Sequence, residues 1–287
     1  MDIKKKIKIF TYASVGLTTL STLFLTVAFI RCFEFAEGYF TQGTSPILFS
    51  IFYFLGIATS FATALIINKK TIIYTTNDVG TIQIPQMLAA IAIFVAVLVG
   101  FLKFTSIILI WSFYGAFAFA IYVLICNAKN GYKSSSTKII LTYASALFPI
   151  ITMLLNNSNY MRHVNSVENI LFSVFSMAFM TYILYEAKRL YEGTHSRWHF
   201  FSMLITLHTG ISLAVAYILA HFKNNFDDSI RLHQMIIVLI ICITISLELA
   251  RLIGNASFYS KKEWDELNSP IQEIEEIEEI SETETEE

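Results

Sequence analysis

Charged residues are scarce in this chain. They make up 15% of the 287 residues, whereas apolar residues make up 55%, and the mean hydropathy is +0.59. Soluble domains carry about 25% charged residues, so this composition excludes a soluble globular protein and a disordered chain. Because a membrane-spanning helix needs about 20 predominantly apolar residues, the composition predicts a polytopic membrane protein without a large extramembrane domain.

Cysteines and catalytic motifs are also scarce. The three cysteines, at positions 32, 126 and 242, are odd in number and far apart, which excludes a cysteine zinc ligand set and a redox CxxC pair. The sequence holds no G-x-S-x-G, H-E-x-x-H, Walker A or G-x-G-x-x-G motif. We therefore expect no cofactor, and the placement of the basic residues gives no reason to expect nucleic-acid binding.

Eight uncharged apolar runs predict eight transmembrane helices. The first run follows a lysine-rich start and lacks a cleavage site with small residues, so we expect an uncleaved helix and not a signal peptide. Pro149 is expected to kink the fifth helix. The predicted spans are residues 9–31, 46–67, 84–102, 105–126, 138–155, 168–187, 199–221 and 231–253.

Lysine and arginine are distributed unevenly among the segments between the spans. With the N-terminus inside, 15 of the 20 basic residues fall in inner segments and five fall in outer segments. Since positively charged loops stay in the cytoplasm, both termini are predicted to be cytoplasmic in the cell membrane.

The C-terminal segment has the opposite charge. Residues 263–287 hold twelve acidic residues and no lysine or arginine. The chain therefore divides into a transmembrane domain, residues 1–253, and an acidic tail, residues 254–287, which we expect to be disordered. A protein partner with a basic surface is the predicted ligand of this tail.

Two tetrapeptides occur twice, four spans apart. Thr-Tyr-Ala-Ser stands at residues 11–14 and 142–145, and Ile-Leu-Phe-Ser stands at 47–50 and 170–173. Equivalent positions in both halves favour a parallel four-plus-four duplication. Chance is the alternative, because the two offsets of 131 and 123 residues differ.

Ionisable residues inside apolar spans are costly and mark functional sites by default. His208 is the deepest, about nine residues into the seventh span. One hypothesis makes it a proton relay or a substrate contact, because histidine titrates near neutral pH. The other makes it a neutral imidazole that hydrogen-bonds a neighbouring helix.

A Glu-x-x-Arg-Leu pattern recurs at the inner ends of the sixth and eighth spans. It contains Glu186 and Arg189 in one copy and Glu248 and Arg251 in the other. Residues three apart share a helix face and can pair. The pattern predicts either two guanidinium sites for phosphate or carboxylate groups, or two snorkelling, self-neutralised helix ends.

Two histidine groups raise the question of metal binding. His195 and His199 are four residues apart, but no Glu or Cys within that motif completes a ligand set, so we expect an interfacial loop anchored by Trp198. The last outer segment, residues 221–233, holds two histidines and two aspartates. Its spacing matches no metal motif, so a solvated loop is expected there.

Several local features resemble multi-pass membrane proteins of Firmicutes that have no assigned activity. These features are the lysine-rich start, Gly38-Tyr39-Phe40, the Leu-Phe segment at 48–52 and Tyr185-Glu-Ala-Lys-Arg189. The resemblance implies a membrane bundle and transfers no functional residue.

The sequence therefore predicts an all-α bundle of eight transmembrane helices in the lipid bilayer. The favoured function is a transporter-like protein that binds or moves a small molecule or a lipid. The alternatives are an accessory or sensory protein that docks a partner through its tail, and a membrane-embedded lipid-modifying enzyme that uses His208 or the inner histidine pair. The predicted substrate contacts are His208, Glu186, Arg189, Glu248 and Arg251.

Overall fold

The structure is a computed structural model that describes residues 3–34, 38–67, 71–75, 84–104, 106–127, 135–158, 166–224, 229–260 and 263. Within these residues it is an all-α bundle with eight helical segments long and apolar enough to cross a membrane. The predicted fold class is confirmed. Most of the acidic tail, residues 264–287, lies outside the described residues.

Helices of the described chain lie at every predicted span, with bounds that differ by up to six residues at either end. Helix α1 begins at Ile3, six residues before the predicted start, because a helix continues through lysines once it has left the hydrocarbon. The bounds are α1 Ile3–Arg31, α2 Thr44–Ile66, α3 Ile84–Lys103, α4 Ile107–Asn127, α5 Ser136–Ser145, α6 Leu147–Ser158, α7 Val167–Glu192, α8 Arg197–Asn224 and α9 Ser229–Asn255.

The fifth span consists of α5 and α6, which are separated at Ala146. This break lies one turn before Pro149, where the kink was predicted, because proline cannot donate to the carbonyl four residues earlier. The break packs closely against α4. A Cβ atom at Gly115 would lie 2.2 Å from the backbone nitrogen of Phe148, so only glycine permits this approach.

Helix α8 lies at the centre of the bundle. It packs against α1, α2, α7 and α9, while α4 packs against α3, α5 and α6. Most of α8 is buried inside the bundle, so its buried polar residues must find partners within the protein. This position explains why two of the three histidines of α8, His199 and His208, are fully buried.

Two short sheets lie at the helix ends. Strands β1 (Phe33–Glu34) and β2 (Tyr39–Phe40) form one antiparallel pair. Strands β3 (Thr71–Thr75) and β4 (Ala256–Ser260) form the other. The segment predicted as the start of a disordered tail therefore contains the last residues of α9 and a strand.

The start of α1 and the end of α9 lie at the same end of the bundle, which we call the basal end. The ammonium group of Lys4 donates to the carbonyl oxygen of Gly254 at 3.1 Å. An even number of spans places both ends of the bundle's chain at the same end, in agreement with this contact. The side of the membrane that this end faces and the four-plus-four repeat both stay predictions.

Candidate functional site

A tight turn between α7 and α8 brings together residues that the sequence separates. Gly193 adopts a left-handed conformation with φ of 69°, and its amide donates to the carbonyl of Arg189, which ends α7. The amide of His195 then donates to the carbonyl oxygen of Ile73 in β3 at 2.8 Å. The turn is thereby held against strand β3, and α8 begins beside the last turns of α7.

Glu186 and Arg189 form a buried ion pair at this end of α7. The two side chains keep 1% and 8% exposure. Nε of Arg189 donates to Oε2 of Glu186 at 2.8 Å, and an Nη of Arg189 donates to Oε1. Tyr122 of α4 also donates its hydroxyl to Oε1 and accepts from Arg189 at 3.1 Å. The predicted pairing within this motif is therefore observed, with a tyrosine that the sequence did not indicate.

The two inner histidines lie against the same carboxylate. Nε2 of His199 is 3.2 Å from Oε2 of Glu186, and among the described residues it has no hydrogen bond of good geometry. Nδ1 of His199 lies 3.0 Å from Nδ1 of His195, and the two rings stack with centroids 5.0 Å apart. Burial, and next the positive charge of Arg189, hold the pKa of His195 well below 6.5, so His195 is neutral at neutral pH.

Glu248 of α9 completes the group. Its Oε2 accepts from the hydroxyl of Tyr182 at 2.7 Å, and its Oε1 lies 4.0 Å from an Nη of Arg189. The side chain keeps 18% exposure, which places it at the rim. We call these seven residues the basal cluster: Tyr122, Tyr182, Glu186, Arg189, His195, His199 and Glu248.

The basal cluster concentrates charge where burial is expensive. It holds two carboxylates and one guanidinium, and Lys138 and Arg251 lie close enough to interact electrostatically with Arg189 and His195, respectively. Removing such groups from water costs several kcal/mol for each ion. An arrangement of this kind can bind a cation, hold a proton or orient a polar ligand.

His208 lies elsewhere, between α1, α2 and α8. Thr18 Oγ1 is 2.9 Å from its Nδ1, and its Nε2 is 2.9 Å from the carbonyl oxygen of Tyr53. Gly56 leaves room for the ring, since a Cβ there would lie 2.1 Å from His208 Cε1. Both ring nitrogens therefore contact neighbouring helices, which is the geometry of the helix-bridging hypothesis.

The outer histidine group is only partly described. Asp227 and Asp228 lie outside the described residues. His233 lies in α9 and its Nε2 is 2.8 Å from the carbonyl oxygen of Ala96, with its ring packed against Phe104 and Phe113. This histidine thus belongs to the helix packing and not to a solvated loop.

A groove of about 700 Å³ runs along α1, with α8 and α9 forming its other wall. Its α1 side carries a row of hydroxyls, and four of them donate to the carbonyl one turn earlier: Thr18, Thr19, Thr22 and Thr26. The hydroxyl protons are thus used within the helix. The α8 side is apolar, with Leu204, Leu207, Ile211, Val215 and Leu219.

The groove is open toward the surface of the bundle. Three of its lining side chains on α1, those of Tyr12, Val15 and Leu23, are more than half exposed. From Lys8 to Thr26 it follows α1 for about 27 Å at 1.5 Å per residue, close to the hydrocarbon thickness of about 30 Å. Lys8 places a positive charge at its basal mouth.

Comparison of the chain with protein-family models, curated protein sequences and solved structures finds no match.

The sequence pattern predicted Glu186 with Arg189 and Glu248 with Arg251 as two separate sites. The structure brings Glu186, Arg189 and Glu248 into one cluster, with Arg251 near its His195 side. Tyr122 and Tyr182 were missed. Their hydroxyls inside apolar spans were the available signal, because a buried Tyr hydroxyl requires a partner.

Proposed function

We propose that this multi-pass membrane protein binds a lipid-like amphipathic molecule in the groove along α1 and moves it across the membrane. The observation that carries this proposal is the open, mostly apolar groove that follows α1 for nearly the full hydrocarbon thickness. Its apolar walls suit acyl chains. Lys8 at its basal mouth suits an anionic headgroup.

The first experiment measures lipid retention by native mass spectrometry of the protein released from mild detergent. Ile211→Trp places a bulky ring into the groove. Ile170→Trp is the matched control, because Ile170 lies on α7, outside the groove, and is 50% exposed. We expect the wild type and Ile170→Trp to retain a lipid and Ile211→Trp to lose it. Equal retention by both variants would contradict the proposal.

Transport is tested in vesicles that contain a fluorescent phospholipid in both leaflets. A membrane-impermeant quencher bleaches only the outer leaflet, so continued bleaching reports movement between leaflets. We expect movement with the wild type and Ile170→Trp, and its loss with Ile211→Trp. If the protein retains lipid but does not move it between leaflets, lipid binding is supported and lipid transport is refuted.

We infer that the basal end faces the cytoplasm. The excess of lysine and arginine in the segments predicted to be inside supports this orientation. In intact cells, a Lys5→Cys variant should resist a membrane-impermeant thiol reagent until the membrane is permeabilised. Native Cys32, just beyond the other end of α1 and half-buried, is the internal reference and should react from outside.

A sensory or accessory function is the second candidate, and one observation favours it. Strand β4 leads into the acidic tail and pairs with β3, whose Ile73 holds the backbone of His195. A partner that binds the tail and displaces β4 would therefore also displace β3 and the backbone of His195 in the basal cluster. Deleting residues 264–287 should then remove a co-purifying protein while lipid retention stays unchanged. Unchanged co-purification would reject this candidate.

A further inference from the structure

His199 and Glu186 form a buried contact between a ring nitrogen and a carboxylate. Nε2 of His199 and Oε2 of Glu186 are 3.2 Å apart, and both side chains are at least 99% buried. Among the described residues, none makes a hydrogen bond of good geometry with Nε2 of His199. A buried polar atom without such a bond is a candidate for binding an ion or a ligand.

The neighbouring histidine can leave Nε2 of His199 available to a metal ion. The two Nδ1 atoms are 3.0 Å apart, so one of them donates to the other. When Nδ1 of His199 is the donor, Nε2 of His199 carries a lone pair. A metal ion bound at Nε2 requires this tautomer, and the contact with His195 supports it.

The spacing of the two atoms suits a shared metal ion. Nε2 of His199 and Oε2 of Glu186 are 3.2 Å apart. A metal ion about 2.1 Å from both atoms would form an angle of about 100° with them, near the tetrahedral angle.

Glu248 supplies a third ligand from α9. One donor atom from each of Glu186, His199 and Glu248 lies within 4.8 Å of the other two. At ligand distances of about 2.1 Å, tetrahedral geometry places donor atoms about 3.4 Å apart. Glu248 therefore has to move by up to about 1.4 Å to close the set, and its 18% exposed side chain at the rim has room to do so.

The surrounding residues hold each ligand in place. Arg189 and Tyr122 donate to Glu186, Tyr182 donates to Glu248, and His195 lies against the second nitrogen of His199. Partners of this kind fix ligand orientation in metal sites. The three ligands come from α7, α8 and α9, so the set is built by tertiary packing.

We propose that Glu186, His199 and Glu248 form a binding site for a divalent first-row metal ion of the Zn²⁺, Co²⁺ or Mn²⁺ class. The carboxylates of Glu186 and Glu248 offset the positive charges near the site, and the imidazole of His199 adds a nitrogen ligand. Nitrogen and oxygen ligation favours a transition metal instead. Three protein ligands leave a coordination position for water or a ligand group. The metal site shares no residue with the lining of the groove.

The test uses full-length protein purified without a polyhistidine tag and stripped with EDTA. Equilibrium dialysis against Zn²⁺ gives stoichiometry and affinity, and the visible spectrum of added Co²⁺ reports nitrogen and oxygen ligation. We expect one ion per chain. His199→Gln and Glu248→Gln should abolish stoichiometric binding, and His195→Asn should weaken it by about 10–100-fold.

Two matched substitutions control for general effects. His208→Gln changes a buried histidine that the proposed site does not use, and Glu168→Gln changes a buried carboxylate at the opposite end of α7. Both should bind metal like the wild type. If His199→Gln does not fold, the rim variant Glu248→Gln decides. Absence of stoichiometric Zn²⁺ and Co²⁺ binding in the wild type would overturn the proposal, as would unchanged binding in Glu248→Gln.

Discussion

The Glu186–Arg189 pair allows a quantitative stability prediction. Glu186→Gln keeps the shape of the side chain but leaves a guanidinium with 8% exposure beside a neutral amide. Removing one partner of a buried ion pair costs about 3–5 kcal/mol. Because Glu248 stays 4.0 Å from an Nη of Arg189, part of the charge remains compensated. We therefore expect a loss near the lower limit, about 3 kcal/mol.

A double variant and a matched control separate burial of charge from loss of contacts. Glu186→Gln combined with Arg189→Met removes both charges, so it should recover most of the lost stability. Glu192→Gln breaks the Lys188–Glu192 contact of 3.5 Å on the same helix, where the side chains are 51% and 44% exposed. Such a surface pair contributes about 0.5 kcal/mol or less.

Two buried thiols provide the assay. Cys126 and Cys242 keep 4% and 0% exposure and form no disulfide, so a thiol-reactive dye reports their exposure on heating. One kcal/mol shifts the Tm of a domain of 150–250 residues by about 2–4 °C. Glu186→Gln should therefore melt about 6–12 °C below the wild type in EDTA. A shift as small as that of Glu192→Gln, or a double variant less stable than Glu186→Gln, would refute this reasoning.

Two further predictions use the same melting assay. Gly115→Ala should lower the free energy of unfolding by at least about 1–3 kcal/mol, because its Cβ would lie 2.2 Å from the backbone nitrogen of Phe148. The control Gly254→Ala has no atom within 4 Å of its Cβ and should be neutral or slightly stabilising. Equal melting temperatures of the two variants would contradict the close packing at Gly115. Because the pKa of His195 is lowered in the folded protein, below about pH 6.5 the unfolded chain binds a proton that the folded chain does not. The free energy of unfolding should therefore fall as the pH falls from about 6.5 toward that lowered pKa. His195→Asn should flatten this dependence between about pH 8 and pH 5, and an unchanged slope would show that His195 is not responsible.

Composition and local spacing were enough to predict the spans and one ion pair. Runs of about 20 apolar residues define membrane helices because the hydrocarbon imposes that length, and Glu186 and Arg189 share a face because they are three residues apart. The basal cluster could not be predicted in the same way. His199 and Glu248 join it through contacts between helices, and no spacing rule indicates which helices are neighbours.

The strand pair at the basal end shows the same limit. Strands β3 and β4 lie about 180 residues apart in the sequence, with Thr71 opposite Ser260. Each is only five residues long, and neither has a turn or a partner nearby in the sequence. Nonlocal pairing of short strands depends on the helices that carry them, so a polar tail was the expected state for residues 254–260.

Helix α9 connects the groove to the basal cluster, because Leu249 lines the groove while the preceding residue, Glu248, faces Arg189. Successive residues of a helix point about 100° apart, so any shift of α9 that admits a ligand also moves Glu248. Binding in the groove and metal binding at the cluster should therefore affect each other.

Coupling between two sites is reciprocal, so the factor by which Zn²⁺ changes lipid affinity must equal the factor by which lipid changes Zn²⁺ affinity. Glu248→Gln should abolish both effects, whereas Ile170→Trp should keep them. Independent binding, with both factors equal to one in the wild type, would show that α9 stays rigid and that the two sites act separately.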